Sequence, residues 1–372
     1  MMSKSFAIAL LVSLFLSAIR TELRADWKGD WENVLEGAKK EGRLNLYVGR
    51  YGQGPLLDEF RKEHPEIKVV SVNGTGNQIA TRIVAEVRAG RTIADIYSGG
   101  PNSSYNFLYR GKFLDSIRSA FILPEVLDES KWYEGKHVFT DREGQFIFVY
   151  VALPGSRGLA FNSNLVNPKE FKSYWDLTQP KWKGKIVSQR PTETGLSAHL
   201  QFYYYNAELG PEFIKRLFGA MEPTYGDRRT ITDWLAVGKF AICHGCRQIE
   251  KAQGQGLQVD DFDTGNWKEG QPLSTGGGSI SLIKGGPHPN AARVFINWFL
   301  SRRGQTAMQK SNDLYGELPP NSRRTDIDKG MLPPENRLVE GRKYLDVARP
   351  EFTDMTPVLN LAKEIMRARE QK

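Results

Sequence analysis

Cysteine is nearly absent from this chain of 372 residues: Cys243 is the first and Cys246 the second and last. With no cysteine near the N-terminus there is no lipobox, and a lipid anchor is not expected. Long apolar runs are missing as well. After the first twenty residues nothing reaches the roughly 18 to 20 consecutive apolar residues of a membrane span, so the exported chain is expected to be soluble. Lysine and arginine are scattered rather than blocked, which argues against nucleic acid as a partner. Catalytic signatures are also missing. Gly277-Gly278-Ser279-Ile280-Ser281 lacks the closing glycine of a nucleophile elbow, and no Walker phosphate loop, dinucleotide fingerprint or H-E-x-x-H occurs. Neither an enzyme nor a cofactor is expected. There is no internal repeat and no low-complexity linker.

What is present begins with an export signal. Lys4 precedes an apolar run from Phe6 to Ile19, too short for a comfortable membrane span, and Leu23-Arg24-Ala25-Asp26 follows. Cleavage after Ala25 is expected, giving residues 1–25 as signal peptide and a periplasmic destination; an uncleaved anchor is the alternative. Removing three cations (Lys4, Arg20, Arg24) and one anion (Glu22) takes the net charge from +8 to +6, a surplus that permits an anionic ligand without requiring one. The remaining chain of about 347 residues exceeds the size at which one core keeps growing, so two lobes are expected.

Periodicity then alternates between strand and helix. Helices are expected at Trp31 to Lys40, Leu56 to His64, Gln78 to Ala89 and Asn102 to Tyr109. Strands are expected at Leu44 to Gly49, Ile67 to Val72 and Ala94 to Ser98. This alternation points to a parallel, doubly wound sheet, whose ligands bind beyond the carboxyl ends of the strands. Those ends are Gly49-Arg50-Tyr51 and Ser98-Gly99-Gly100. Gln145 to Leu153 and Gly158 to Asn162 read as two further strands separated by Pro154-Gly155-Ser156, and Gly276 to Gly278 as part of a returning strand.

Lys284 to Gln305 reads KGGPHPNAARVFINWFLSRRGQ. Pro289 suits the first turn of a helix, and Ala291, Ala292, Val294, Phe295, Trp298 and Phe299 form one buried face. Arg302 and Arg303 are expected at the negative end of its dipole, with Gly304 as the stop. The wording resembles the late "HPNAA…F…FLLS…GQ" segment of bacterial extracellular solute-binding proteins, the soluble receptors of ABC importers. YWDLTQPKWKGKIV, Tyr174 to Val187, resembles that family's "W.DL..PKWKGKI" phrase, and TRIVAE…AGRTIADIYSGG is a third similarity. Together they span Gly42 to Gln305. The resemblance implies a type II periplasmic binding fold, two doubly wound α/β lobes with a hinge and an interlobe ligand cleft. Lobe 1 would hold 26–152 and 273–318, and lobe 2 would hold 153–272 and 319–372. It implies a monomer that captures a small polar solute, anionic or phosphorylated, and delivers it to an inner-membrane ABC permease. The alternatives are a ferric-iron carrier and a receptor that presents its ligand to a sensor kinase.

Four loops are candidate ligand contacts. Arg50 and Tyr51 follow the first strand, where arginine could pair with a carboxylate or phosphate or simply be solvated. Ser98, Gly99 and Gly100 let backbone N–H groups approach a ligand, or form an ordinary strand-to-helix turn. Arg190-Pro-Thr-Glu-Thr-Gly195 precedes a helix through Leu196, Leu200 and Tyr204. Thr192 or Thr194 is expected to cap it, and Thr192, Glu193, Thr194 and Gly195 are expected to meet the ligand, as the family's "P..SG" phrase does. Glu193 would repel a purely anionic ligand, so it is expected to point outward or to bind a hydroxyl, an amine or a metal. The fourth loop combines Arg228 with Gly238 to Cys246. In ferric-binding relatives the strand after such a glycine turn runs into two adjacent tyrosines that bind iron. Here the place reads Ile242-Cys243-His244-Gly245-Cys246, so the resemblance argues against iron. Tyr203-Tyr204-Tyr205 is no substitute, because successive helix residues point in different directions. Cys243 and Cys246 are expected as a disulfide, as two thiols, or with His244 as three ligands of a metal site one short of structural zinc. His199 and His288 are expected as helix-end or core histidines.

Overall fold

The computed structural model describes residues 27–51, 54–155, 158–193, 196–224, 227–311 and 319–371. The expected signal peptide and two proposed ligand residues, Thr194 and Gly195, lie outside them. The chain divides into two compact units. The first comprises the chain up to His137, Glu143–Tyr150 and Gly277–Asp328; the second comprises Val138–Arg142, Val151–Gly276 and the chain from Lys329 onward.

In chain order the strands are β1 (Arg43–Val48), β2 (Lys68–Asn73), β3 (Ile96–Gly99), β4 (Leu114–Asp115), β5 (Phe148–Val149), β6 (Leu153–Pro154), β7 (Leu159–Asn162), β8 (Ile186–Gln189), β9 (Met221–Thr224), β10 (Ile242–His244), β11 (Val259–Asp261), β12 (Gln271–Ser274), β13 (Ser279–Ile283) and β14 (Tyr344–Asp346). The first unit carries a sheet of order β2-β1-β3-β13-β4, with β5 also paired to β13. Strand β1 runs parallel to β2 and β3, whereas β13 is antiparallel to β3, β4 and β5. The second unit carries β11-β7-β10-β8-β9, parallel across β10-β8-β9 and antiparallel at β7, together with a small sheet β14-β12-β6.

Strand β1 is parallel because both its faces are covered: Leu44, Leu46 and Val48 are buried on one side, Asn45 and Tyr47 on the other. The helix Gly76–Arg88 that follows β2 starts with a capping box. Thr75 Oγ1 accepts from Gln78 N–H, and Gln78 Oε1 accepts from Thr75 N–H at 3.0 Å. It then buries Ile79, Ala80 and Ile83.

The HPNAA wording has a structural meaning. Asp95, 0 % exposed, accepts from His288 N–H (2.8 Å), His288 Nδ1 (2.8 Å) and Asn45 N–H (2.7 Å). Glu41 accepts from the N–H groups of Asn290 (3.1 Å) and Ala291 (2.8 Å), so a carboxylate sits at the N-terminus of helix Pro289–Leu300. Asn297, buried within that helix, accepts from Ile122 and Leu123 N–H and donates to Ala120 O. The PKWKGKI phrase is structural too: Trp182 stacks on Phe171 and leads into β8.

Several expectations need correction. Helix Pro289–Leu300 ends before Arg302, and Ser301 caps a new helix, Arg302–Lys310, by accepting from Gly304 N–H at 3.2 Å. Arg302 and Arg303 therefore begin a helix rather than end one. Gly304 is needed for clearance, since an added Cβ would lie 2.2 Å from Trp298 O. The apolar run Gln145 to Leu153 is not one strand. Its residues from Ile147 to Ala152 are buried, but only β5 and β6 form ladders, and these belong to different sheets. The chain changes partners at Tyr150, whose N–H donates to Gly278 O while its carbonyl accepts from Arg323 N–H. The expected helix Asn102–Tyr109 is a short turn, Pro101–Ser103, running into a π-helix, Ser104–Tyr109. Gly276 and Gly277 form a turn before β13 rather than part of it, with Gly277 at φ +82°. Residues 273–276 stay with the second unit through β12, and Asn321 to Asp328 stay with the first, where buried Arg324 donates to Leu300 O. The unit limits differ from the lobe limits at those places and at Val138–Arg142, Val151 and Ala152, which fall in the second unit.

Two predictions follow from this packing. Asp95→Ala leaves three N–H donors without their acceptor and is expected to cost about 2–4 kcal/mol in urea unfolding. His137 packs edge-on against Phe121, Trp132 and Phe148. Burial pushes its imidazole down to about 4 from the usual 6.5. The folded value lies below the unfolded one, so neutral His137 contributes fully above pH 6.5 and its contribution is lost as pH falls toward 4. The pH slope of unfolding free energy in that window is expected to be shallower in His137→Phe than in the natural chain.

Candidate functional site

In the first unit the carboxyl ends of β1 and β3 are tied side by side, with Gly49 N–H donating to Ser98 O at 2.7 Å. Ser98 Oγ donates to Tyr51 O (2.7 Å), so at its 3.1 Å contact with Tyr150 the phenol is the donor. Burial pushes the Tyr150 phenol far above its usual range and keeps it neutral. Ser279 Oγ donates to Gly99 O (2.6 Å), which adds the start of β13 to the same edge. The Arg50 guanidinium lies 6.0 Å from the Tyr51 ring centroid, and the Arg50 stem runs against Gly277.

In the second unit the parallel strands β8, β9 and β10 bring their carboxyl ends together. Arg190 N–H donates to Thr224 O (3.1 Å), joining the ends of β8 and β9. Beyond β10 the turn is closed by a disulfide between Cys243 and Cys246, whose Cα atoms are 6.0 Å apart. Arg228 is wrapped onto this turn, donating from Nε to Gly245 O (2.6 Å) and from Nη2 to Cys246 O (3.1 Å). The N–H groups of Gly245 (2.7 Å) and Cys246 (3.1 Å) both donate to Gly158 O. Gly158 must be glycine, since it sits at φ +80° and an added Cβ would lie 2.3 Å from Cys246 O.

Behind the turn lies a buried hydrogen-bond chain. Ser188 Oγ donates to Gln189 O, so His244 Nδ1 is the donor in its 3.2 Å contact with Ser188 Oγ. His244 Nε2 then accepts from Tyr203 OH at 3.1 Å. Burial, reinforced by His199 and Arg228, holds the His244 imidazole well below its ordinary range, in keeping with this neutral tautomer.

The structure therefore places the expected residues in two groups. Arg50, Tyr51, Ser98, Gly99 and Gly100 gather at one edge of the first unit. Tyr51 is only 2 % exposed, and Ser98 is committed to Tyr51 and Tyr150. Thr192, Glu193 and Arg228 belong to the strand-end loops of the second unit, with Thr192 exposed and Glu193 half-buried. Thr192 does not cap the next helix: Ser197–Tyr205 has Leu196 at its N-cap and no side-chain cap. Arg228 is in the first turn of helix Arg228–Ala236, which Asp227 caps. The metal reading of Cys243, His244 and Cys246 is overturned, because the sulfurs are bonded to each other and both His244 ring nitrogens have protein partners. The tyrosine run divides as expected: Tyr203 is buried on His244, while the Tyr205 hydroxyl donates to Asp354 O. Arg190 opens one of the loops expected from the sequence without being named there as a contact, and Gln189 is not singled out by the sequence. Arg190 is the first residue after β8, and Arg50 the second after β1.

Residues 56–330 match the family described as bacterial extracellular solute-binding protein. The chain belongs to that family. Solved structures agree on the fold. A Trichodesmium protein (IdiA, FutA), solved with iron and citrate, superposes with a TM-score of 0.66 at 18 % identity, covering 87 % of this chain and 99 % of that one. Iron-bound HitA from Pseudomonas aeruginosa gives 0.60 at 18 % identity, with coverages of 87 % and 99 %. AfuA from Actinobacillus pleuropneumoniae, a periplasmic binding protein solved with fructose-6-phosphate, gives 0.59 at 18 % identity, with coverages of 88 % and 98 %. This solute-binding protein thus has the type II periplasmic binding fold, with an α/β sheet in each unit. Its family supplies the solute-capturing component of ABC importers, a binding role rather than a catalytic one.

The disulfide closes a very short loop, for which the chain-entropy relation gives roughly 2 kcal/mol of stability. Reduction of the solute-binding protein is expected to lower its melting temperature, and Cys243→Ala/Cys246→Ala is expected to melt at that lower temperature with or without reductant. Equal melting of the oxidised protein and the double variant would contradict this.

Proposed function

We propose that this solute-binding protein works in the periplasm, where it captures a small organic anion, phosphorylated or carboxylated, for an inner-membrane permease and carries out no chemistry on it. The contacts are Arg50, Ser98, Gly99 and Gly100 in the first unit and Thr192, Glu193, Thr194, Gly195, Arg190 and Arg228 in the second. Tyr51 contributes through its backbone and its packing on Arg50.

The observation that carries the reading is the charge at the strand ends. Arginines follow β1, β8 and β9, whereas Glu193 is the single carboxylate proposed among the contacts. Guanidinium groups so placed match carboxylate or phosphate oxygens. Glu193 suits a hydroxyl of the same solute. The fructose-6-phosphate on AfuA shows that this fold accommodates such a ligand. The iron on HitA and on the Trichodesmium protein is the competing precedent. It has less support here because a disulfide-closed turn, with its carbonyls held by Arg228, stands where the resemblance would place iron-binding phenolates.

Thermal-shift screening with inorganic phosphate, organic phosphates, carboxylates, neutral sugars and Fe(III) tests the reading. An organic anion at 100 times its dissociation constant is expected to add about 2.7 kcal/mol to stability. Arg190→Ala is expected to weaken that anion by about tenfold or more, as loss of a charge-assisted hydrogen bond does. Stabilisation by Fe(III) alone, or by neutral sugars alone, would sink the reading.

A further inference from the structure

Gln189 closes β8 and is 8 % exposed, yet its Oε1 has no hydrogen-bond partner among the described residues. It lies against the turn after β10: an added Cβ at Gly245 would stand 3.5 Å from Gln189 Oε1. The backbone donors on either side of it are already committed. The N–H groups of Gly245 and Cys246 both serve Gly158 O, and Arg190 N–H serves Thr224 O. Arg228 Nε and Nη2 serve the carbonyls of Gly245 and Cys246. Both ring nitrogens of His244 are engaged, and the Ser188 hydroxyl donates to the Gln189 carbonyl. The turn cannot swing to supply a donor, because the Cys243–Cys246 disulfide closes it and Gly158 pins two of its N–H groups. A buried acceptor left this way costs free energy in the folded chain. Such a cost persists where a ligand relieves it.

We infer that the Gln189 carboxamide is a specificity determinant that accepts a hydrogen bond from a hydroxyl of the bound solute, so the cargo is a hydroxylated organic anion. This rests on the proposed capture of an organic anion. A neutral acceptor beside arginines reads a hydroxyl without repelling the anion, as a carboxylate would. Gly245, at φ +92°, keeps a side chain away from the buried carboxamide, and a Cβ there would also meet Leu196 at 2.8 Å. Sites built to bond a hydroxyl reject analogues lacking it more strongly than apolar pockets reject a missing methylene.

The test uses the oxidised full-length exported protein and matched anions: glycerol 3-phosphate against propyl phosphate, glycerate against propionate, and gluconate against hexanoate. The hydroxylated member of at least one pair is expected to bind about tenfold or more tightly. Gln189→Met, nearly isosteric and apolar, is expected to erase that difference while leaving the ligand-free melting temperature equal or higher. A lower ligand-free melting temperature would mean that the carboxamide holds the fold, which overturns the inference. Pair members that bind equally to the natural chain, or a difference that survives Gln189→Met, overturn it while the anion reading stands. If no anion of any pair binds, both readings fall together.

Discussion

The first unit depends on a buried carboxylate. Asp95 is wholly shielded from solvent, and burial raises its pKa, yet N–H groups of Asn45 and His288 converge on it to favour the charged form. Around it Asp95 N–H donates to Asn45 O, and Asp95 O accepts from Ile283 N–H. One residue thereby joins β1, β13 and the start of the Pro289–Leu300 helix ahead of β3. It fixes the register Leu46↔Ile96 and Leu282↔Ile96 at the near end of the sheet. Because side chains alternate faces with period two, a slip of one residue would turn each strand inside out. Register fixed at that end is transmitted along rigid ladders to the other, where Gly49, Ser98 and Ser279 meet. The proposed ligand loops are thus positioned by a contact at the opposite end of the strands.

This arrangement explains why some sequence phrases identified the family so well. ADIYSGG contributes Asp95, and PHPNAA contributes His288 and the amides that Glu41 receives. These phrases describe a scaffold joint between residues almost two hundred positions apart, and their chemistry is local and demanding. The alternating strands and helices up to Gly99 were equally legible, because burial on both faces and capping leave periodic traces. Other segments misled. The run from Ile147 to Ala152 is apolar because it is buried, and burial alone does not reveal where a backbone changes sheets. Arg302 and Arg303 looked like a helix end because a serine-capped restart has nearly the same local composition.

The candidate site was legible in position and not in role. Strand ends can be counted from the sequence, so Arg50, the Ser98 to Gly100 turn and the Arg190 loop were within reach. What each side chain does there depends on distant partners. Arg228 has the chemistry of an anion contact, but two of its nitrogens hold the turn at Gly245 and Cys246. Gln189 reads as an unremarkable strand residue. Its lack of a partner follows from where Gly158 directs two amides, and no spacing rule connects Gly158 with Cys246.

Charge then bears on the ligand more strongly than ancestry of the fold does. A hard trivalent cation needs anionic oxygen donors, and its field would be opposed by each guanidinium at the strand ends. A disulfide offers it no thiolate, and neutral His244 is already bonded at both nitrogens. On the proposed reading an organic anion meets the reverse situation, with cations for its charge and a neutral carboxamide for a hydroxyl. Relatives with iron and relatives with a sugar phosphate share this scaffold at 18 % identity, so the fold itself does not choose between them. On the reading proposed, the choice rests with a handful of side chains at the strand ends, and in the second unit the disulfide closes the turn that Arg228 holds.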